Sequence, residues 1–480
     1  MVERYQNYVG GAWTDATSGD VSTSSNPADH SDVFGEFQAS NSADADAAIT
    51  AASNAKEGWR RTSSLVRGGY LFKAATYLEN NLEEYAQAVT RESGKAILES
   101  RGEVGRAIAL LQYYGVEGSN PVGTVVPSVN PNILLYTNRM PLGVISLITP
   151  WNFPLHQVMA KVAPALAVGC TVVLKPSEVA PLSAFLLAEM MDDLGFPPGV
   201  FNLVSGDGPV VGEAIAAHPD VDMVSFTGST RAGTRVAEVA AVNVTRVHQE
   251  LGGKSANIIL DDADLSAAIP AAVGACFLNS GQTCSALTRL LVPADKMDEV
   301  AAIAGETAAG YTVGPADDDG SRLGPLVSAA QWEKVQGYIQ TGIDEGATLV
   351  TGGTGKPDGL DAGYYVKPTV FADVSNSMTI AREEIFGPVL SIIGYVDVDD
   401  AIAIANDTEY GLAGGVWGTD GDKALAVAKR LRTGQVDMNG AFLNTDAPFG
   451  GYKKSGNGRE LGRYGLAEFV ESKSINLPMG

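Results

Sequence analysis

A chain of 480 residues is too long for one small hydrophobic core and implies two or more domains. Its composition, 45% hydrophobic and 19% charged, excludes a disordered chain. A net charge of −23 makes nucleic acid a poor partner and leaves two readings of the acidic surface, plain solvation or adaptation to high salt.

Cysteine is sparse. Cys170, Cys276 and Cys284 form an odd set, which argues against a disulfide framework and for a reducing compartment. Four histidines without paired ligand spacing argue against zinc, so no metal is expected. The start, Met1-Val2-Glu3-Arg4-Tyr5-Gln6, has no basic stretch followed by an apolar core. The most apolar region, Val158 to Leu174, is too short for a membrane span and carries Lys161 near its start. The expected location is the cytoplasm, with no membrane partner.

Helical patterning first appears near Tyr70 to Ala88 and Gly102 to Tyr114, and Gly123 to Arg139 reads as extended β structure. From residue 143 strand and helix alternate. Gly143 to Thr149 is β-branched and apolar, and Pro154 can open a helix reaching about Val168. Cys170 to Leu174 reads as a short buried strand. Pro181 to Leu194 reads as a helix, with Gly195 suited to its C′ position. Val200 to Val204, Met223 to Phe226 and Thr245 to Val247 continue the strands, with helices after Pro209 and Ser229. This alternation indicates an α/β fold with a parallel sheet covered on both faces. A second α/β region starts near Gly252, with strands at Ala256 to Leu260, Thr288 to Val292, Val389 to Tyr395 and Gly415 to Trp417. Neither an internal repeat nor a low-complexity segment is present.

The densest chemistry follows a helical run from Ala271 to Ser280. Gly281-Gln282-Thr283-Cys284-Ser285-Ala286 sets a cysteine in a loop of small residues. Upstream by 34 positions lies Glu250, in Glu250-Leu251-Gly252-Gly253-Lys254. A thiolate nucleophile and a carboxylate base are the minimum needed to form a thioester and hydrolyse it. Taken alone, a cysteine is a small buried hydrophobe, the reading given to Cys170 and Cys276. Taken alone, a glutamate before two glycines can end a strand in a solvated turn.

Those two blocks, in that order and at that spacing, resemble the nucleophile and general-base motifs of the aldehyde dehydrogenase superfamily. The resemblance runs over nearly the whole chain, from Tyr8-Val9-Gly10-Gly11-Ala12-Trp13 to the tail after Phe469. It implies a Rossmann-like cofactor domain at 1–121 and 142–251, an α/β catalytic domain at 252–468, and a small β oligomerisation domain from 122–141 and 469–480. A homodimer or homotetramer is implied with it. Asn152, in Thr149-Pro150-Trp151-Asn152-Phe153-Pro154, matches a family motif. Its amide would stabilise an oxyanion together with the Cys284 backbone N–H; the competing reading is an N-cap for the helix at Pro154. Lys161 and Glu460 match positions that the resemblance links to a proton path near the thiol, though each by itself reads as a solvated charge.

The cofactor signal is distributed, and NAD is expected, with NADP possible. Lys175-Pro176-Ser177-Glu178 follows the strand ending at Leu174, at the carboxyl end where α/β sheets bind ligands. Lys175 and Glu178 resemble the pair that holds the adenosine ribose hydroxyls. Phe226-Thr227-Gly228-Ser229-Thr230 again joins strand to helix, and Ser229 with the helix N-terminus suits a phosphate. Trp151 would flank the pyrophosphate. Gly206-Asp207-Gly208 with Gly212 departs from G-x-G-x-x-G and is assigned to a turn near the adenine side. Glu384 and Phe386 resemble the residues that hold the nicotinamide ribose and ring. Pro448 to Gly456 also matches the family and suits a tight loop beside the site.

By position, Phe153, His156, Gln157, Ala160, Thr283, Ser285 and Leu443 are expected to line the aldehyde tunnel, with His156 otherwise a helix-surface residue. Arginine is absent from these positions, which disfavours a dicarboxylic semialdehyde and leaves apolar, aliphatic or aromatic aldehydes. The leading function is NAD(P)-dependent oxidation of an aldehyde to an acid. A coenzyme A-acylating relative is the near alternative, opposed by Glu250, which supplies the group that hydrolysis needs. A cysteine thioester hydrolase or esterase is the distant one, opposed by the cofactor set. A non-enzymatic homologue is opposed by the presence of both nucleophile and base.

Overall fold

The computed structural model of the protein describes residues 2–119, 123–441 and 444–479. Leu443 and the expected boundary at 121/122 lie outside the described residues.

An eight-stranded sheet forms one half of the molecule. Its spatial order is Gly456–Asn457, Arg246–Glu250, Met223–Thr227, Val144–Ile148, Thr171–Lys175, Phe201–Leu203, Asn7–Val9 and Ala12–Thr14. The five strands from Arg246–Glu250 to Phe201–Leu203 are mutually parallel. Met223–Thr227, Val144–Ile148 and Thr171–Lys175 are buried at every residue, as expected of strands covered on both faces. The cover includes Ser42–Arg61, which the sequence reading did not anticipate. Asn41 and Asp44 start that helix with a reciprocal capping box.

A seven-stranded sheet forms the other half, in the order Thr348–Thr351, Thr369–Ala372, Val389–Tyr395, Arg289–Pro293, Ala256–Ile259, Gly414–Trp417 and Asp437–Met438. Only Thr348–Thr351 runs antiparallel to its neighbour. A three-stranded sheet stands apart from both. There Val470–Pro478 pairs antiparallel with Ile133–Pro141, which pairs with Val125–Val126. Segment Gly456–Asn457 returns late in the chain to the edge of the first sheet, pairing with Gln249 and Glu250.

The α/β class holds, and the expected strands lie within a few residues of the observed ones. Two boundaries changed with consequence. The strand read as Thr245 to Val247 extends to Glu250. The helix expected to open at Pro154 begins at His156, because the chain bends at Trp151 to Phe153 and turns at Pro154 and Leu155, and Leu155 in the N-cap position offers no side-chain cap. Instead the Glu103 carboxylate accepts from the N–H groups of Leu155 and His156, both at 3.0 Å, and Lys95 pairs with that carboxylate in the interior.

Candidate active site

The loop that carries Cys284 is fixed by its backbone. Helix Leu265–Phe277 ends in the single turn Leu278–Gly281, where Asn279 and Ser280 both take left-handed angles, φ 54° and 53°, and Gly281 follows at 75°. Such a run is costly for non-glycine residues and persists only where its surroundings hold it. They do. Asn152 Nδ2 donates to the Gln282 carbonyl at 2.9 Å, and Asn279 Nδ2 donates to the Asn152 carbonyl at 2.8 Å. Ser280 Oγ donates to the Gly324 carbonyl, Gln282 Oε1 accepts from Val327 N–H, and the Glu99 carboxylate accepts from Asn279 N–H. The N-cap reading of Asn152 is thereby set aside. One proton of its amide holds the nucleophile loop, and the second is free for another acceptor.

The thiol of Cys284 is pushed above its ordinary range. Burial is the main cause, followed by the carboxylates of Glu384, Glu250 and Glu460, with the Ser285 backbone N–H opposing. Cys170 and Cys276 are buried and pushed up to about 12, in keeping with a packing role.

The Glu250 corner is built differently. Glu250 ends its strand, but in the interior: it is 2% exposed, and both carboxylate oxygens lack a hydrogen-bond partner. Burial first, then the charge of Glu460, hold its carboxyl well above the usual range. Lys161 and Glu460 are likewise buried and pair with each other, so the reading of each as a solvated charge is corrected. Lys161 Nζ also donates to Ser225 Oγ at 3.0 Å, and Ser225 Oγ lies 3.1 Å from His248 Nδ1. His248 Nε2 lies 3.4 Å from Glu250 Oε1. Sequence reasoning missed His248 and Ser225. A signal existed, since His248 stands two residues before Glu250 on one strand and therefore shares its face. Ser225 is its register partner on the next strand.

The expected cofactor residues of the first half fall at the carboxyl ends of its strands, while Glu384 and Phe386 come from the segment ahead of Val389–Tyr395 in the other half. Lys175 is buried, and its Nζ donates to the Pro176 carbonyl and to Glu178 Oε2, both at 3.0 Å. Ser177 Oγ accepts from Val179 N–H at 3.2 Å. Gly208 opens a single π-helical turn, Gly208–Gly212. Gly228 N–H donates to the Glu250 carbonyl, tying this turn to the base strand. Ser229 caps helix Thr230–Ala241, its Oγ accepting from Ala232 N–H at 3.3 Å. Trp151 and Phe386 meet edge to face with ring centroids 5.3 Å apart, Phe386 at φ 63°. Glu384 Oε1 accepts from Gly253 N–H at 2.9 Å, which places that carboxylate between the Glu250 block and the Cys284 loop. The hydroxyls of Thr149 and Thr227, at the ends of adjacent strands, are buried without partners. Two orphaned donors at a strand-end crevice fit a polar ligand there.

A cavity of ≈ 280 Å³ opens onto Cys284. Phe153, His156, Gln157, Thr283 and Ser285 line it as expected, whereas Ala160 is buried elsewhere. His156 is no surface histidine: it is buried, and burial with the charges of Arg106 and Lys95 lowers its pKa to about 3, so it is a neutral wall. Leu278, Leu287, Trp417, Phe449 and Leu461 make much of the lining apolar. Arg106, which the positional argument did not include, also lines the cavity. The sequence marks its helix, Ile97–Glu117, only as a helical segment near Gly102 to Tyr114 ahead of the first sheet, and nothing in it aims that residue at the thiol.

The family model "Aldehyde dehydrogenase family" matches residues 13–475. A 3-succinoylsemialdehyde-pyridine dehydrogenase from Pseudomonas sp. is 49% identical over 98% of this chain and 97% of its own. A crystal structure of a cysteine-to-alanine variant of aldehyde dehydrogenase C from Pseudomonas syringae, with NAD+ and octanal, is 47% identical and superposes with a TM-score of 0.96, covering 99% of this chain and 97% of that one. Betaine aldehyde dehydrogenase from Staphylococcus aureus, in complex with NAD+, is 36% identical with a TM-score of 0.96, covering 99% and 95%.

Proposed function

The chain belongs to the aldehyde dehydrogenase family, and from that premise we propose how this NAD-dependent oxidation of an aldehyde to a carboxylic acid is divided among its residues. The observation that carries the reading is a thiol on a mainly apolar cavity, with an amide donor locked to its loop and a buried, unpartnered carboxylate whose charge reaches it.

Cys284 Sγ attacks the aldehyde carbon and forms a thiohemiacetal. The second amide proton of Asn152 and the Cys284 backbone N–H meet the oxyanion, a contact typically worth about 10²–10³ in rate per donor. Bound NAD supplies the acceptor for the hydride. The remaining thioester is hydrolysed by water, from which Glu250 takes a proton. A carboxyl held above its usual range is a competent base near neutrality, and it stays unpartnered because its partner is the water. The same group sets the coenzyme A-acylating alternative aside, since that route does not require a base for water.

Lys175, Ser177, Glu178, Gly208, Gly228 and Ser229 hold the adenosine and phosphate end. Trp151 flanks the pyrophosphate, and Glu384 and Phe386 hold the nicotinamide end. The orphaned hydroxyls of Thr149 and Thr227 support a ligand along these strand ends. The substrate is an aliphatic or aromatic aldehyde whose body packs on Phe153, Trp417 and Phe449, with Arg106 offering donors to a distal acceptor group. The eight-stranded half is the cofactor domain, 1–121 and 142–251, and the seven-stranded half the catalytic domain, 252–468. The sheet of 122–141 and 469–480 serves a homodimer or homotetramer, supported by the open edge of Val470–Pro478 and the exposed Leu477. All three cysteines are free, consistent with the cytoplasm.

The test is NADH formation at 340 nm over a panel of aldehydes, with Glu250→Gln in parallel. The native enzyme should turn over, and its kcat should fall as pH drops through the raised Glu250 value, because only the deprotonated carboxylate accepts the water proton. Glu250→Gln should stop after at most one NADH per site. An unchanged steady-state rate in that variant would remove Glu250 as the base.

A further inference from the structure

We propose that Arg106 makes the cavity selective for an aldehyde that ends in a carboxylate, an ω-oxo acid whose oxidation gives a dicarboxylate. The inference rests on the oxidation at Cys284 proposed above and adds which aldehydes that site favours.

Helix Ile97–Glu117 turns one face toward the site, because Glu99, Glu103 and Arg106 stand at i, i+4 and i+7. Two of the three are committed to backbone. Glu99 accepts from Asn279 N–H in the nucleophile loop. Glu103 accepts from Leu155 and His156 N–H and pairs with Lys95. Arg106 completes the face and lines the cavity. Its guanidinium carbon lies 5.6 Å from the centroid of the Phe153 ring, and among the described residues no carboxylate pairs with it.

The acids nearby are otherwise engaged. Lys95 neutralises Glu103. Burial pushes the Glu99 carboxyl above its ordinary range, which disfavours the charged form that could serve Arg106. On the cavity wall Glu460 pairs with Lys161, and Asp437 accepts from the Gln435 amide, so neither is paired with Arg106. His156 on the same wall is neutral, and its Nδ1 is buried without a partner. In a chain of net charge −23, this wall still keeps one cation without a counter-charge.

A carboxylate on the substrate supplies that charge. A guanidinium presents its N–H groups in a fixed fork that matches two carboxylate oxygens, so the pair forms two parallel bonds. The neutral His156 ring can add a donor without adding charge. The apolar residues Leu278, Leu287, Trp417, Phe449 and Leu461 suit the carbon spacer between the aldehyde at Cys284 and the distant acid. An aldehyde with a second carboxylate, disfavoured while the expected wall held no arginine, fits the wall that includes Arg106.

The experiment measures kcat/KM by NADH formation for 4-oxobutanoate, 6-oxohexanoate and 8-oxooctanoate, each beside its methyl ester, and for octanal. The native enzyme is compared with Arg106→Met and Arg106→Gln. Acid and ester share the aldehyde and the spacer, so their ratio isolates the charge. At its best length the native enzyme should favour the acid by about tenfold to a hundredfold, the scale of a hydrogen-bonded charge pair. Both variants should lose that preference. Arg106→Met should use octanal better than the native enzyme does, because an unpaired charge has left an apolar wall. Equal use of acid and ester at all three lengths by the native enzyme overturns the proposal, and so does an acid preference that survives in Arg106→Gln. In either case octanal turnover leaves oxidation at Cys284 standing. NADH from none of these aldehydes in the native enzyme overturns that oxidation and this inference with it. Should Arg106→Met misfold, seen as lost NAD binding, the native ratio and Arg106→Gln carry the decision.

Discussion

The two ends of the candidate active site are held by different means. The Cys284 loop is fixed by backbone geometry, with three successive left-handed residues pinned by hydrogen bonds to main-chain groups. The Glu250 corner is built from side chains, with Lys161, Ser225 and His248 linked in the interior beside a carboxylate that accepts no hydrogen bond. A nucleophile must meet a carbon at one angle, and rigid backbone provides that. A base must gain and lose a proton, and groups that can exchange donor and acceptor roles provide that. Damage should therefore read out differently: loss of bond formation and of stability at the first end, loss of turnover after the first product at the second.

The largest effect should come from Cys284→Ala, which should abolish oxidation while leaving NAD binding intact, measured by fluorescence titration. Cys170→Ala and Cys276→Ala should stay within a few-fold of native, since both thiols only pack. Full turnover by Cys284→Ala would end the covalent mechanism.

Asn152→Ala should follow. It deletes an oxyanion donor and the bond to the Gln282 carbonyl together, so kcat should drop by about 10²–10³. Stability should fall by about 1 kcal/mol in denaturant titration for the lost buried hydrogen bond. An activity loss in Asn152→Ala without slower acyl-enzyme formation would contradict its place at the nucleophile end.

Two glycine substitutions sharpen the contrast further. In Gly281→Ala a Cβ would meet the Gly387 carbonyl oxygen at 2.0 Å, at φ 75°, where backbone must move. In Gly450→Ala, at φ 143°, it would meet Glu250 Oε1 at 2.5 Å, the end of a side chain, and the Gly458 carbonyl oxygen less closely, at 2.9 Å. Gly281→Ala should lower the melting temperature and slow both half-reactions. Gly450→Ala should disturb deacylation more than acylation. Equal effects of the two on the two steps would erase the distinction.

The smallest effect concerns neither end directly. Glu178→Ser should raise kcat/KM for NADP relative to NAD, because a 2′-phosphate meets like charge at Glu178 while a free hydroxyl can donate to it. Lys175 already pairs with Glu178 at 3.0 Å, so the change should be modest. Equal or better use of NADP by the native enzyme would refute the Glu178 assignment.

The amino-acid sequence alone determined what is local. Alternating apolar runs and breakers specified the parallel strands, and Gly195 takes the αL conformation, φ 66°, that its place after a helix calls for. Strand-to-helix turns drew attention to Lys175, Gly228 and Ser229 because the chemistry of such turns depends on adjacent residues. The resemblance to a known family added Cys284, Glu250 and Asn152 as a set. Only the tertiary structure decided how distant residues meet. It set Lys161 against Glu460 and Asn152 against Gln282, turned two apparent surface charges into a buried pair, and brought Arg106 and His156 to one cavity wall. It also joined His248 to Ser225 and to Glu250. The physical reason is that period and turn chemistry fix which face of an element a residue occupies, while partners across a core depend on the register and packing of elements far apart in the chain.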